Sequence, residues 1–167
     1  TRRSSDLVGA EKLNGILLMP GEEFSVTDAV VPFNAKNGYE LAPSYESGQV
    51  VDSYGGGICQ VSTTLYNALL QAELQILERH NHTMIVTYVE PSMDAAIAEG
   101  LMDLRFANDT DYPIYIEGGA WGGALTFTIY GHETRPEDRY VQYVSETLDS
   151  STAEVVKLVP KYDQNRS

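Results

Sequence analysis

Three consecutive glycines, Gly55-Gly56-Gly57, stand directly before Ile58-Cys59-Gln60 and the amphipathic run Val61 to Ala72. Fixing glycine costs more conformational entropy than fixing any other residue, so three in a row make physical sense only where the backbone turns tightly or another group approaches it closely. The run that follows places Val61, Leu65, Ala68, Leu69 and Ala72 on one stripe at helical spacing and keeps Ser62, Thr63 and Asn67 on the other face. The pattern predicts a core-facing helix from about Cys59 to Ala72, entered through a glycine turn. Cys59, the single cysteine of 167 residues, then lies in the first turn, where free N–H groups and the positive end of the helix dipole face its sulfur.

About twenty residues on, His80-Asn81-His82 precedes the strand-like segment Thr83-Met84-Ile85-Val86-Thr87-Tyr88-Val89. On an extended strand, residues two apart point to the same face, so both histidines can border Cys59 from a neighbouring sheet edge. A cysteine at a helix start with a histidine on a strand is a recurrent layout for a cysteine nucleophile and its base. The bland alternative is a buried cysteine that fills space, beside a histidine that caps a strand. Zinc is a further alternative, with His80 and His82 as two ligands from one strand and Cys59 or Asp94 as the third, since catalytic sites take three protein ligands and structural sites four. Asp94 is the candidate third residue that orients the imidazole, or else the N-cap of a helical turn through Ala95-Ala96-Ile97-Ala98. Gly56 and Gly57 leave room for a ligand, Gln60 and the N–H groups of residues 58–60 can form an oxyanion hole, and Ser62, Tyr66 and Tyr88 are candidate cleft residues. Trp121 can stack on sugar or peptide or serve as a packing lid, and His132 reads as a surface residue.

The run GGGICQVSTTLYNALLQAELQILERHNHTMIVTYVEPSMDAAI resembles the core of the VanW-like domain, found in exported proteins of Gram-positive bacteria. Leu13 to Ser25, Gly38-Tyr39-Glu40-Leu41-Ala42-Pro43 and Asp103 to Thr110 with Pro113-Ile114 extend the similarity over about residues 6–131. GGGICQ followed by an Arg-x-x-His element, here Arg79 to His82, carries the resemblance. It implies that the functional histidine is His82 rather than His80, that Asp94 belongs to the family's Asp-Ala pair, and that the activity is that of a peptidoglycan L,D-transpeptidase. Where the family usually reads Gly-Arg-Asp-Ala, this chain reads Ser92-Met93-Asp94-Ala95, so an arginine able to grip a substrate carboxylate is replaced by Met93.

The implied reaction forms 3-3 cross-links between stem peptides through a cysteine thioester, with no metal or organic cofactor. A cysteine peptidase, amidase or carboxypeptidase on wall peptides would use the same residues, and a non-catalytic wall-binding module would leave Cys59 buried and inert. The resemblance also implies a location outside the cell, on the wall side of the cytoplasmic membrane, in a parent protein anchored or secreted there. A chain beginning at Thr1 is expected of a segment of a longer protein. Net charge is −13, from 24 acidic against 11 basic residues, which argues against a nucleic-acid partner because phosphate backbones demand clustered Lys and Arg.

The element order predicts an α+β fold, one central helix starting at the Cys59 motif packed on a mostly antiparallel sheet. A short helix is expected from Asp6 to Leu13 with Ser5 or Asp6 as N-cap, then strands at Ile16–Met19, Glu23–Val26, Leu104–Phe106, Ile114–Ile116 and Leu125–Tyr130. The glycine-rich Gly118–Gly123 reads as the loop joining the last two, and residues 31–57 as a long loop walling a cleft. Residues 6–131 form the expected catalytic domain. Residues 132–167 are expected to be a strand-rich extension or stem, with strands at Tyr140–Val144 and Val155–Val159.

Overall fold

The computed structural model describes residues 2–46 and 49–148. They form helices α1 (Arg2–Lys12), α2 (Val26–Val30) and α3 (Ile58–Gln71) and strands β1 (Ile16–Leu18), β2 (Glu23–Ser25), β3 (Leu41–Glu46), β4 (Gln49–Tyr54), β5 (Gln75–Glu78), β6 (Arg105–Ala107), β7 (Ile114–Trp121) and β8 (Ala124–Tyr130). All strand pairs are antiparallel, in three small sheets of order β1-β7-β8, β2-β6-β5 and β3-β4. The fold is α+β with α3 at its centre, as the sequence pattern predicts.

Helix α3 owes that place to its spacing. Ile58, Val61, Leu65 and Leu69 recur every three or four residues and are all buried. They meet Leu13 from the end of α1, Leu104 and Phe106 from β6 and the residue before it, and Ile114 and Ile116 from β7 in one contiguous core. Truncating Leu65 or Phe106 to alanine there costs about 2–5 kcal/mol. Beyond Gln71 the helix closes in a Schellman motif: Leu74 N–H donates to Leu69 O at 3.1 Å and Glu73 N–H to Leu70 O at 3.0 Å. The left-handed position of that motif, usually a glycine, is Glu73 at φ 57°.

Several expectations are corrected. α1 starts at Arg2, so Ser5 is a buried residue inside the helix rather than its cap. Residues 31–57 are not one long loop, because Leu41 to Tyr54 pair as β3 and β4 with Leu41 opposite Tyr54. The β7–β8 connection is Gly122-Gly123 alone, since Gly118 to Trp121 continue β7 opposite Phe127 to Ala124. Thr83 to Val89 form no strand and Ala95 to Ala98 no helical turn. Both stretches lie in an irregular connection from β5 to β6, pinned at the isolated bridges His80–Ala96 and Ala98–Met102. The apolar letters of Met84, Ile85 and Tyr88 mimic a strand, but all three are exposed and the segment joins no sheet.

From residue 131 to residue 148 the chain runs without regular structure, Tyr140–Val144 included; Val155–Val159 lies outside the described residues. Residues 133–145 strap the C-terminal end of α3. Arg135 donates to Gln71 O at 3.0 Å, which satisfies a carbonyl left open at the helix end, and Tyr143 adds a second donor to Leu70 O at 2.8 Å. Arg139 and Arg135 both pair with Glu73, and Ser145 donates to Pro91 O in the β5–β6 connection.

Candidate functional site

Helix α3 begins at Gly57, at φ 94° and without a side-chain cap. Only glycine adopts that left-handed backbone without strain, and it lets the chain leave β4 and enter the helix in one step. Gly56 has a different reason: a Cβ there would lie 2.4 Å from Ala42 O on β3, so the turn is pressed against the neighbouring strand. The glycine triplet thus sets the helix start against a sheet and places Cys59, partly buried, at the second helical residue.

The face of α3 that carries Ser62, Thr63 and Asn67 is covered. Ser62 is fully buried and donates to Ala95 O at 2.6 Å. Thr63 accepts from Ala95 N–H at 3.0 Å, and Asn67 donates to Met93 O at 2.8 Å. Three side chains within about a turn and a half of the helix therefore lash residues 93–95 along it, which carries Asp94 and Ile97 to the cysteine. Ser62 is a fastening of this segment and does not line a cleft.

Four functional groups meet where this segment crosses the end of β5. Asp94, 7% exposed, takes His82 N–H and His82 Nδ1 on Oδ2, both at 2.7 Å, and Arg79 Nη2 on Oδ1 at 2.7 Å. A carboxylate can only accept, so Nδ1 carries the proton and Nε2 is left to act toward the sulfur. Interaction with the Cys59 side chain, ahead of the bond to Asp94, raises the His82 pKa above the ordinary 6.5 against the opposing effect of burial. Burial pushes the Asp94 carboxyl up, but the His82 bonds and the Arg79 charge outweigh it and hold the group below its ordinary value. The Cys59 thiol also lies 3.5 Å from Ile97 O. Cysteine, imidazole and carboxylate are thus in a line, with an arginine behind the carboxylate.

The other expected residues fall around this line. Tyr88 stands edge-on to His82 with ring centroids 6.3 Å apart and is partly exposed. His80 is turned to Glu78, Nε2 to Oε1 at 2.9 Å, while its backbone carbonyl bonds Ala96 N–H. Among the described residues no group of three or more His, Cys, Asp and Glu side chains is arranged to hold a metal ion. Ile58 and Gln60 N–H donate to Gly55 O and Gly57 O, both at 2.9 Å, so of the three amides expected to face an oxyanion only that of Cys59 is uncommitted to the turn. Trp121 is 89% exposed at the β7–β8 tip and covers no core, and His132 lies on the surface against the Tyr112 ring at 4.2 Å.

Three concavities of the molecule lie off the cysteine, one of them, about 500 Å³, lined by Glu73, Asp109 and His132. Another, about 290 Å³, separates Asp6 and Leu7 from the β7–β8 tip. The third, about 730 Å³, runs between the strap and α3 from Tyr140 to Asn67 and Met93. Among the described residues a thiol, an imidazole and a carboxylate converge at Cys59, which makes it the candidate site. Sequence reasoning passed over Arg79 as a site residue and took Ser62 for a cleft residue. The available signal for Arg79 was the scarcity of cations, which makes each arginine a candidate partner for a buried acid.

The sequence profile of the family described as "VanW like protein" matches residues 2–130. The uncharacterized protein YoaR of Bacillus subtilis (strain 168) is 38% identical over 126 residues, 75% of this chain and 42% of that protein. The vancomycin B-type resistance protein VanW of Enterococcus faecalis (strain ATCC 700802 / V583) is 34% identical over 117 residues, 65% of this chain and 42% of that protein. The chain spans less than half the length of either relative. No solved structure matches it.

Proposed function

Since the chain belongs to the VanW-like family, we propose that it is a cysteine acyltransferase of the cell wall, an L,D-transpeptidase acting on peptidoglycan stem peptides. The observation that carries the proposal is the line Cys59, His82, Asp94, in which the ring tautomer is fixed by a carboxylate 2.7 Å away. The cell-wall setting is supported by the vancomycin-resistance relative.

In this reading His82 Nε2 takes the Cys59 proton, and the thiolate attacks the carbonyl between the L-configured centre of the stem's diamino acid and its terminal D-alanine. The tetrahedral oxyanion is met by Cys59 N–H, with the Gln60 side chain beside it. Imidazolium returns the proton to the departing D-alanine amine, and the C–N bond breaks to leave a thioester on Cys59. His82 then accepts a proton from the side-chain amine of a second stem, which displaces the sulfur and closes a 3-3 cross-link. Asp94 stays ionised throughout and stabilises the imidazolium. Tyr88, exposed beside the ring, walls the acyl chain. The protein would work outside the cytoplasmic membrane, where its substrate is.

Mass spectrometry of the protein incubated with tetrapeptide muropeptides tests this. The expected species is an adduct on Cys59 equal to the stem less D-alanine, followed by cross-linked dimers. Tripeptide products without dimers would make the activity a carboxypeptidase. A Cys59 that forms no adduct and resists alkylation in the folded protein would overturn the reading in favour of a wall-binding module.

A further inference from the structure

We propose that Arg79 is the positioning residue of the site: it touches neither sulfur nor imidazole and acts on His82 through Asp94, an inference that rests on the roles given above to Cys59 and His82. Its guanidinium makes three bonds to the Ser92–Asp94 segment. Nε donates to Asp94 O at 2.6 Å, and Nη2 donates to Asp94 Oδ1 at 2.7 Å and to Ser92 O at 3.1 Å. Its other face lies over the Tyr66 ring of α3, 5.6 Å from the centroid. Arg79 therefore clamps three elements at once: the end of β5, the central helix and the segment that carries the carboxylate.

The geometry demands an arginine. A planar fork can serve a main-chain carbonyl and a carboxylate oxygen together while stacking flat on an aromatic ring, whereas the point charge of a lysine on a flexible stem can replace one bond but not the set. The clamp also holds a strained backbone. Ser92 sits at φ 67°, in the left-handed region, and its carbonyl is one of the three acceptors. Two carbonyls and one carboxylate oxygen fixed by a single group leave Asp94 Oδ2 aimed at His82, and the tautomer that the mechanism needs follows from that aim. Met93, which stands where the family pattern has an arginine, supplies no charge here, so Arg79 is the cation that faces Asp94.

Three variants decide the matter: Arg79→Met, Arg79→Lys and Asp94→Asn. Two readouts need no turnover: imidazole nitrogen NMR of His82 across pH, and the pH profile of Cys59 alkylation by iodoacetamide. In Arg79→Met the His82 titration is expected to move down toward its ordinary value and alkylation at neutral pH to slow. Transpeptidation is expected to fall about 10–100-fold in kcat with KM little changed, the scale for losing a partner that orients a functional group. Arg79→Lys restores part of each effect, and Asp94→Asn reproduces the tautomer change with Arg79 present. A melting temperature lowered in Arg79→Met with the His82 titration and alkylation profile of the parent protein would overturn the proposal and leave Arg79 a structural brace. Should the parent protein form no acyl adduct while Arg79→Met still shifts His82, the transpeptidase reading fails and the positioning role stands.

Discussion

At its N-terminus α3 starts on a bare glycine with no side-chain cap, whereas at its C-terminus the carbonyls of Leu69, Leu70 and Gln71 are taken up by the Schellman bonds, by Tyr143 and by Arg135. Both ends turn through a left-handed residue, Gly57 at one and Glu73 at the other. The difference lies in what remains exposed. The glycine end keeps an uncommitted N–H beside a sulfur and spends its side-chain contacts on holding an acid and an imidazole near it. The glutamate end has its carbonyls closed by the strap. In the proposed function one helix thus has a chemical end and a mechanical end, and substitutions at the two should separate accordingly.

The largest contrast is in turnover. Cys59→Ala is expected to abolish acyl transfer and His82→Ala to lower it by a factor of about 100 or more, the usual scale for a general acid–base group. Tyr143→Phe, at the other end, should leave it unchanged, and so should His80→Ala. Equal losses from His80 and His82 in a muropeptide assay would erase the distinction between the two histidines. Next in size is packing. Gly56→Ala would drive a methyl group into Ala42 O, and chemical denaturation should show a loss of about 3 kcal/mol, the upper range for overpacking. A tolerated alanine would mean that β3 can retreat from the turn.

A smaller effect separates the ends by pH. His82 has a raised folded-state pKa, so its pairing adds stability that is fully present below its unfolded value of 6.5 and is lost as pH rises through the raised value. Thermal melts of the parent protein should fall across that window, and the fall should vanish in His82→Gln but persist in Tyr143→Phe. The smallest effects concern the two strained residues. Ser92→Gly should stabilise by about 1 kcal/mol by relieving the left-handed backbone. Glu73→Gly relieves the same strain but gives up exposed ion pairs, which contribute little, so its melting temperature should rise slightly and become less sensitive to salt.

The central helix and most strands were legible because α3, β1, β6, β7 and β8 carry their periodicity in consecutive residues. Val61, Leu65 and Leu69 need no knowledge of the rest of the chain to be read as a buried stripe. Thr83 to Val89 failed for the opposite reason: β-branched and aromatic letters suit a strand, but a strand also needs a neighbour to pair with, and the edge at His80 is occupied by Ala96 alone. β3 and β4 were hidden by Pro43, Ser44, Asp52 and Ser53, which read as turn residues although they pair across an exposed two-stranded ribbon. At the site, Cys59 and its glycines announce themselves locally. The role open to Arg79 depends on a fold that brings it to a carboxylate fifteen positions away, and no local spacing encodes that approach.

Asp94 Oδ2 accepts from both the main-chain amide and the ring of His82. Ring orientation is thereby referenced to the main chain rather than to a side-chain rotamer. If the imidazole swung away, the carboxylate would stay berthed on the amide, aligned to recapture it. In the proposed function a bulky acyl chain that shouldered the ring aside while docking would therefore meet a latch that re-engages without any rebuilding of the loop.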